Sequence, residues 1–205
     1  MVKFSVDWFS NNISIWKKHL DRYKDQEICA LEIGSYEGMS ASWLLSNILT
    51  HPRSRIFCVD NFTQKDKKTR GNVETTFMSN MAEFPTKKWK LLKGDSSDML
   101  KLPSVLKMKF DIIYIDSNHH SRHVLEDAVL AFALLKPGGI MIFDDNTNNK
   151  EHDNNCPKPA IISFLNAYSN EVKVMYSKWQ VVLTKRSQPL RTSPCYSEFY
   201  LEPKH

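Results

Sequence analysis

Short apolar runs alternate with helix-patterned stretches along most of this chain, and each run closes on glycine or an acid. Residues 28–33 run into Gly34, residues 55–60 end in Asp60, and residues 89–93 are followed by Gly94 and Asp95. Residues 110–116 end in Asp116, and residues 140–143 lead into Asp144 and Asp145. Runs this short and this apolar read as strands buried on both faces. Between them, the spacing of Phe9, Ile13, Trp16 and Leu20 predicts an amphipathic helix over 7–21. Further helices are expected over 39–49, 73–82, 96–107, 123–135 and 159–168. Val124, Ala128, Ala131 and Leu135 form one stripe in the fifth of these six. The Lys136-Pro-Gly-Gly139 segment reads as a turn, and residues 172–176 and 180–184 as a closing antiparallel pair. Alternation of this kind implies an α/β protein whose parallel sheet is covered on both faces. Such sheets bind ligands outside the carboxyl ends of their strands, where the acids and glycines fall.

A chain of 205 residues suits one domain with a full core, here expected over 1–185, with a tail over 186–205. The net charge of +5, from 28 basic and 23 acidic residues, permits an anionic partner without requiring one. No apolar run is long enough to span a bilayer, and Met1-Val-Lys-Phe-Ser is not followed by the apolar core of a signal peptide. Cys29, Cys58, Cys156 and Cys195 are scattered without a C-x-x-C pair, which points to a reduced, cytoplasmic protein.

The turn after the first apolar run reads Glu32-x-Gly34-x-x-x-Gly38. Glycines there allow close backbone approach at a helix N-terminus, but the third glycine of the dinucleotide fingerprint is missing. That weighs against a nicotinamide oxidoreductase. Taken with Asp60, Gly94-Asp95-Ser96, Asp116 and Lys136-Pro-Gly-Gly139, the series resembles motifs I to V of class I S-adenosylmethionine (SAM) methyltransferases, over about residues 28 to 146. The stretch Tyr114-Ile-Asp-Ser-Asn-His119 and the later Phe143-Asp-Asp145 are similar to the O-methyltransferase-like family with I-D-G-x-H and F-D-D in those strands. The resemblance implies a Rossmann-like, doubly wound, seven-stranded, mostly parallel sheet. Its order would be 3-2-1-4-5-7-6, with an antiparallel last strand.

The same resemblance implies SAM as cofactor. Asp60 would accept the ribose hydroxyls, with Asn61 beside it, and Asp95 and Ser96 would meet the adenine. Gly34, Ser35 and Gly38 would flank the methionine tail, with Tyr36 and Glu37 in the same turn, and Glu32 would brace the loop through backbone N–H groups. Asp60 also reads as a helix cap, and Gly-Asp-Ser as a turn with an N-cap. In catechol-type relatives an acid after strand 4 and an Asp-Asn pair after strand 5 hold a divalent cation. The matching residues here are Asp116, Asp145 and Asn146, with Asp144 as a substitute, and Mg2+ or another divalent cation fits such hard ligands. The lysine those relatives use as base is replaced by His119, which can take a proton near neutral pH.

His120 and His123 read as helix-start residues, and His152 as a further base or ligand candidate. The acceptor side is expected from Trp8, Phe9, Asn12 and Trp16, and from the 61–71 and 146–158 loops. Lys65, Lys67, Lys68 and Arg70 either favour an anionic acceptor or form a solvated face. The leading expectation is methyl transfer to a hydroxyl oxygen of a small molecule by a soluble enzyme, with a homo-oligomer as one assembly. RNA 2′-O-methylation ranks second: Asp116 and Lys17 or Lys18 fit it, but Asp144-Asp145-Asn146 stands where a lysine is needed, and carboxylates repel phosphates. A catalytically silent SAM-binding partner subunit is a third reading.

Overall fold

The computed structural model describes residues 2–63, 72–146 and 156–188. Seven strands form one sheet in the order β3-β2-β1-β4-β5-β7-β6. They are β1 (Cys29–Ile33), β2 (Arg55–Asp60), β3 (Trp89–Lys93), β4 (Phe110–Ile115), β5 (Leu135–Phe143), β6 (Val172–Ser177) and β7 (Val181–Lys185). β1 to β5 pair in parallel, and β7 runs antiparallel between β5 and β6. The order implied by the sequence is therefore the order observed.

Helices α1 (Ile13–Leu20), α2 (Met39–Asn47) and α3 (Val73–Met81) cover one face, where Trp16, Leu44, Phe77 and Tyr114 share a core. Helices α4 (Ser96–Met99), α5 (Pro103–Leu106), α6 (Ser121–Leu134) and α7 (Lys158–Ala167) cover the other, around Phe110, Phe132, Phe143 and Phe164. Side chains alternate along a strand, so each strand feeds both cores.

Three elements differ from the sequence reading. The leading helix is shorter: Ser10–Asn12 is a 3-10 turn and the α-helix covers Ile13–Leu20. The helix expected over 96–107 breaks into two, because Pro103 disfavours a helical Leu102 and instead starts α5. The Pro-Gly-Gly segment is no free turn: β5 begins at Leu135 and passes through it, with a register shift opposite Phe110 and Ile112. Gly139 needs to be glycine there, since a Cβ would come within 3.0 Å of the Asp111 carbonyl oxygen. No helix among the described residues is long and apolar enough to cross a membrane, and Cys29 and Cys58 are free thiols.

Candidate active site

Backbone hydrogen bonds fix the carboxyl edge of the sheet at one level. Gly34 N donates to Val59 O (2.9 Å), Asp116 N to Ile33 O (2.8 Å), Asp144 N to Ile115 O (3.1 Å) and Gly94 N to Asp60 O (3.0 Å). Motif residues separated by many tens of positions in sequence thus line one cleft of about 720 Å³. Its walls include Gly34, Ser35, Tyr36, Asp60, Asn61, Asp95, Ser96, Asp116, His119, Asp144 and Asp145. Tyr36, Phe62 and Asp145 hold left-handed φ angles of 50°, 54° and 55°, strain concentrated along this edge.

The glycines of the first turn serve the chain's own packing. Gly34 has φ +88°, and a Cβ would lie 2.0 Å from the Asp116 carbonyl oxygen; at Gly38 it would meet the Phe77 ring at 3.0 Å. The expected loop brace from Glu32 takes another form. This fully buried side chain accepts the Ser40 hydroxyl at 2.5 Å rather than backbone N–H groups. Burial pushes its carboxyl up to about 7, against the pull of hydroxyl donors.

Asp60 takes over the brace. Its Oδ2 accepts Ser35 N and Tyr36 N, both at 2.8 Å, and its Oδ1 accepts Phe62 N at 2.6 Å. A carboxylate has about four acceptor positions, so roughly one remains for a ribose hydroxyl rather than two. Asp95 sits at the N-cap of α4, but its side chain makes no cap bond and instead accepts Asn61 Nδ2 at 2.6 Å. Asn61 in turn accepts the Thr63 N–H and hydroxyl. Ser35 lines the cleft, but its hydroxyl is buried and lies towards Glu32, whose carboxyl pKa it helps to lower.

At the β4 and β5 ends, Tyr114 organises the acids. Tyr114, Asp116 and Asp144 lie on the same face by strand alternation, and the phenol reaches Asp116 Oδ2 at 2.9 Å and Asp144 Oδ2 at 2.7 Å. A phenol has one hydrogen to donate, so both contacts are favourable only when one carboxyl carries a proton of its own. In agreement, burial and then the Asp144 and Asp145 charges hold Asp116 well above the usual carboxylate range; burial also raises Asp144. Tyr114 was absent from the sequence expectations, although its place two residues before Asp116 in a strand was the available signal.

His119 Nδ1 stands 2.7 Å from Asp145 Oδ2, a hydrogen bond that raises the imidazole pKa despite partial burial. Asp116, His119 and Asp145 offer ligand atoms all within 4.8 Å of one another. Clustered carboxylates with no lysine or arginine among the described cleft residues suit a divalent cation. Asn146 is less directly engaged: its Nδ2 donates to Lys178 O (2.7 Å) and its N to Trp179 O (2.8 Å), both in the β6–β7 turn. Asp144 accepts the Asp145 N–H and the Tyr114 hydroxyl, so it is held back while Asp145 faces the cleft with His119.

On the acceptor side the four expected residues divide. Trp8 and Phe9 line the cleft. Trp16 and Asn12 do not: they dock α1 through Trp16 Nε1 to Gln180 Oε1 (3.0 Å) and Trp179 Nε1 to Asn12 Oδ1 (2.9 Å). His120 is the N-cap residue of α6 and His123 lies in its first turn, with Nδ1 3.0 Å from Asn118 Oδ1. Lys17 and Lys18 are exposed and outside the cleft. The Lys65, Lys67, Lys68 and Arg70 cluster and His152 lie outside the described residues.

The sheet order, the acidic strand ends and the cleft above them define the fold of class I SAM-dependent methyltransferases. Residues 31–146 match a family described as a methyltransferase domain, and the chain belongs to it. No curated protein sequence matches the chain. Among solved structures, it is similar to the MycE methyltransferase of the mycinamycin biosynthetic pathway in complex with Mg and SAH, at 17% identity and a TM-score of 0.64. The match covers 89% of this chain and 51% of MycE, so the chain spans about half that enzyme's length. An O-methyltransferase from Bacillus cereus in complex with SAH is 18% identical, with a TM-score of 0.65 over 87% of this chain and 83% of that one. A protein from Clostridium thermocellum described as an rRNA methylase is 13% identical, with a TM-score of 0.65 over 92% and 99%. At these identities the likeness is one of fold.

Proposed function

We propose that this protein transfers the methyl group of SAM to a hydroxyl oxygen of a small molecule, with His119 as general base. The observation that carries this reading is the His119–Asp145 pair, 2.7 Å apart, beside Asp116 in the cleft. When bound, SAM supplies a methyl carbon already activated by its sulfonium. The chain's own work is alignment and proton removal. The Gly34–Tyr36 turn, with no side chain at Gly34, lets the methionine tail approach closely, Asp60 receives a ribose hydroxyl, and Asp95 and Ser96 the adenine. With Nδ1–H donated to Asp145, His119 presents Nε2 as a proton acceptor. The acceptor O–H proton passes to that nitrogen as the C–O bond forms and the C–S bond breaks.

A divalent cation would be held by Asp116 and Asp145, with Asn146 or Asp144 adjoining, and would lower the pKa of the acceptor hydroxyl. MycE was crystallised with both Mg and SAH, and the B. cereus O-methyltransferase with SAH, which supports both ligands here. An RNA acceptor is the second reading, favoured by the likeness to the C. thermocellum protein. The acids of the cleft, without lysine or arginine among its described residues, count against it.

Calorimetric titration with SAM and SAH, with and without Mg2+, tests the cofactor. Micromolar binding is expected, and no binding to a folded sample would leave a silent fold relative. His119→Ala should lower the chemical rate about 100-fold or more while changing SAM affinity little. A variant that loses SAM affinity with its rate constant intact would remove the base role.

A further inference from the structure

Four residues of α6, Val124, Asp127, Ala128 and Ala131, follow the i, i+3, i+4, i+7 spacing of a buried helix face, and one of them is an acid. Asp127 is 1% exposed, as deep as the apolar residues beside it. Among the described residues its hydrogen-bond partners are two hydroxyls from different turns. Ser117, just after β4, donates to Oδ2 at 2.7 Å, and Ser96, just after β3, is the second donor. Burial raises the carboxyl pKa, and these two bonds pull it back down. An apolar side chain would complete the stripe without any cost of desolvation, so packing alone gives no reason for an acid here.

Both serines are half-buried and line the cleft, Ser96 at the β3 end and Ser117 at the β4 end. An ionised carboxylate only accepts hydrogen bonds, and a serine hydroxyl has a single hydrogen to give. Each serine gives that hydrogen to Asp127, so what it offers any other group is lone pairs. The acid on α6 thus turns two hydroxyls that could donate or accept into two acceptors. An exocyclic amine brings two N–H donors and matches such a pair. A carbonyl oxygen in its place would set lone pairs against lone pairs. Mismatched polar groups in a closed site discriminate strongly, because neither side finds a partner.

We propose that Asp127 sets the base specificity of the cofactor site: by holding Ser96 and Ser117 as acceptors, it selects an amino-substituted purine over an oxo-substituted one. The assignment rests on the SAM reading and deepens it. Asp127 acts through the two serines and is a positioning residue. Asparagine has nearly the same shape but carries an NH2 group. In Asp127→Asn one serine accepts from that amide and turns its own hydrogen towards the cleft, which admits a carbonyl oxygen.

The test is calorimetric titration of the full chain with SAH and with S-inosylhomocysteine, which carries an oxygen in place of the adenine amine. The wild type should bind SAH at least about tenfold more tightly. Asp127→Asn should narrow that ratio to about threefold or less, with an unchanged far-UV circular dichroism spectrum. The single variants Ser96→Ala and Ser117→Ala, each leaving Asp127 one donor, should narrow it part of the way, and they carry the test should Asp127→Asn fail to fold. A wild type that binds both compounds equally, or folded variants that lose affinity for both by the same factor, would overturn the assignment and leave SAM binding in place. A folded wild type that binds neither compound would overturn the SAM reading, and the assignment with it.

Discussion

At the scale of single residues, Glu32 shows how site chemistry is stored as strain in the unliganded fold. It sits in β1 between Cys58 and Tyr114, on the face covered by α1 to α3, and burial pushes its carboxyl up to about 7. An unfolded glutamate titrates near 4.3. Between these values the folded state binds more protons than the unfolded one, so stability falls as pH rises through the window and levels off above about 7. Glu32→Gln should flatten that slope and stabilise the unliganded protein at pH 8 by about 3 kcal/mol, since each pKa unit is worth about 1.4 kcal/mol. Urea unfolding at pH 5 and pH 8 would show it; an equal effect at both would mean that the glutamate is ionised throughout. Gly34 is a position of the opposite kind, where no side chain is tolerated. With φ +88° and a Cβ placed 2.0 Å from Asp116 O, Gly34→Ala should cost about 3 kcal/mol or more by thermal denaturation.

Elements differ in how legible they were, and the difference has a physical source. The strands were readable because parallel strands buried on both faces leave continuous apolar runs, and the acids that end them fall at the carboxyl edge by geometry alone. What pattern could not supply was where side chains turn. Strand alternation already placed Tyr114 on the Asp116 face, but its bridge to Asp144 depends on β4 and β5 being neighbours, a tertiary fact. Asn12 and Trp16 looked like acceptor residues because they sit in the leading segment; their hydrogen bonds to the β6–β7 turn, about 165 residues away, make them docking residues instead. The anchoring of residues 3–5 was illegible for the same reason: Glu37 accepts Ser5 N and its hydroxyl, and Asn80 pairs with Lys3 N and O, each across a long stretch of sequence. Asn80→Ala should leave Lys3 N, Lys3 O and Glu37 O without their partner, costing about 1 to 3 kcal/mol. Hydrogen exchange should accelerate at residues 3–5 first, while amides of β1 and β4 stay protected; uniform acceleration would mean that Asn80 supports the whole fold.

For the whole molecule, the cleft concentrates carboxylates that the free protein must hold together against their mutual repulsion. On the proposed function, partners of opposite charge, the SAM sulfonium and a divalent cation, would relieve that cost, linking ligand binding to stability. SAM at about 100 times its Kd should add about 2.7 kcal/mol, or roughly 5 to 10 °C in Tm for a chain of this size. Asp116 separates the two ligands. Its carboxyl is half-buried at the cleft, hydrogen-bonded to Tyr114 and pushed upward by desolvation and by Asp144 and Asp145, so Asp116→Asn removes a group that is costly in the unliganded state. The variant should melt at a higher temperature than the wild type without ligands, because sites built for function are often not built for stability. It should also lose any Mg2+-dependent rise in Tm while keeping much of the rise from SAM. An Asp116→Asn protein that melts lower and still responds to Mg2+ would move the cation to Asp144 and Asp145 and make Asp116 a structural acid shared with Tyr114.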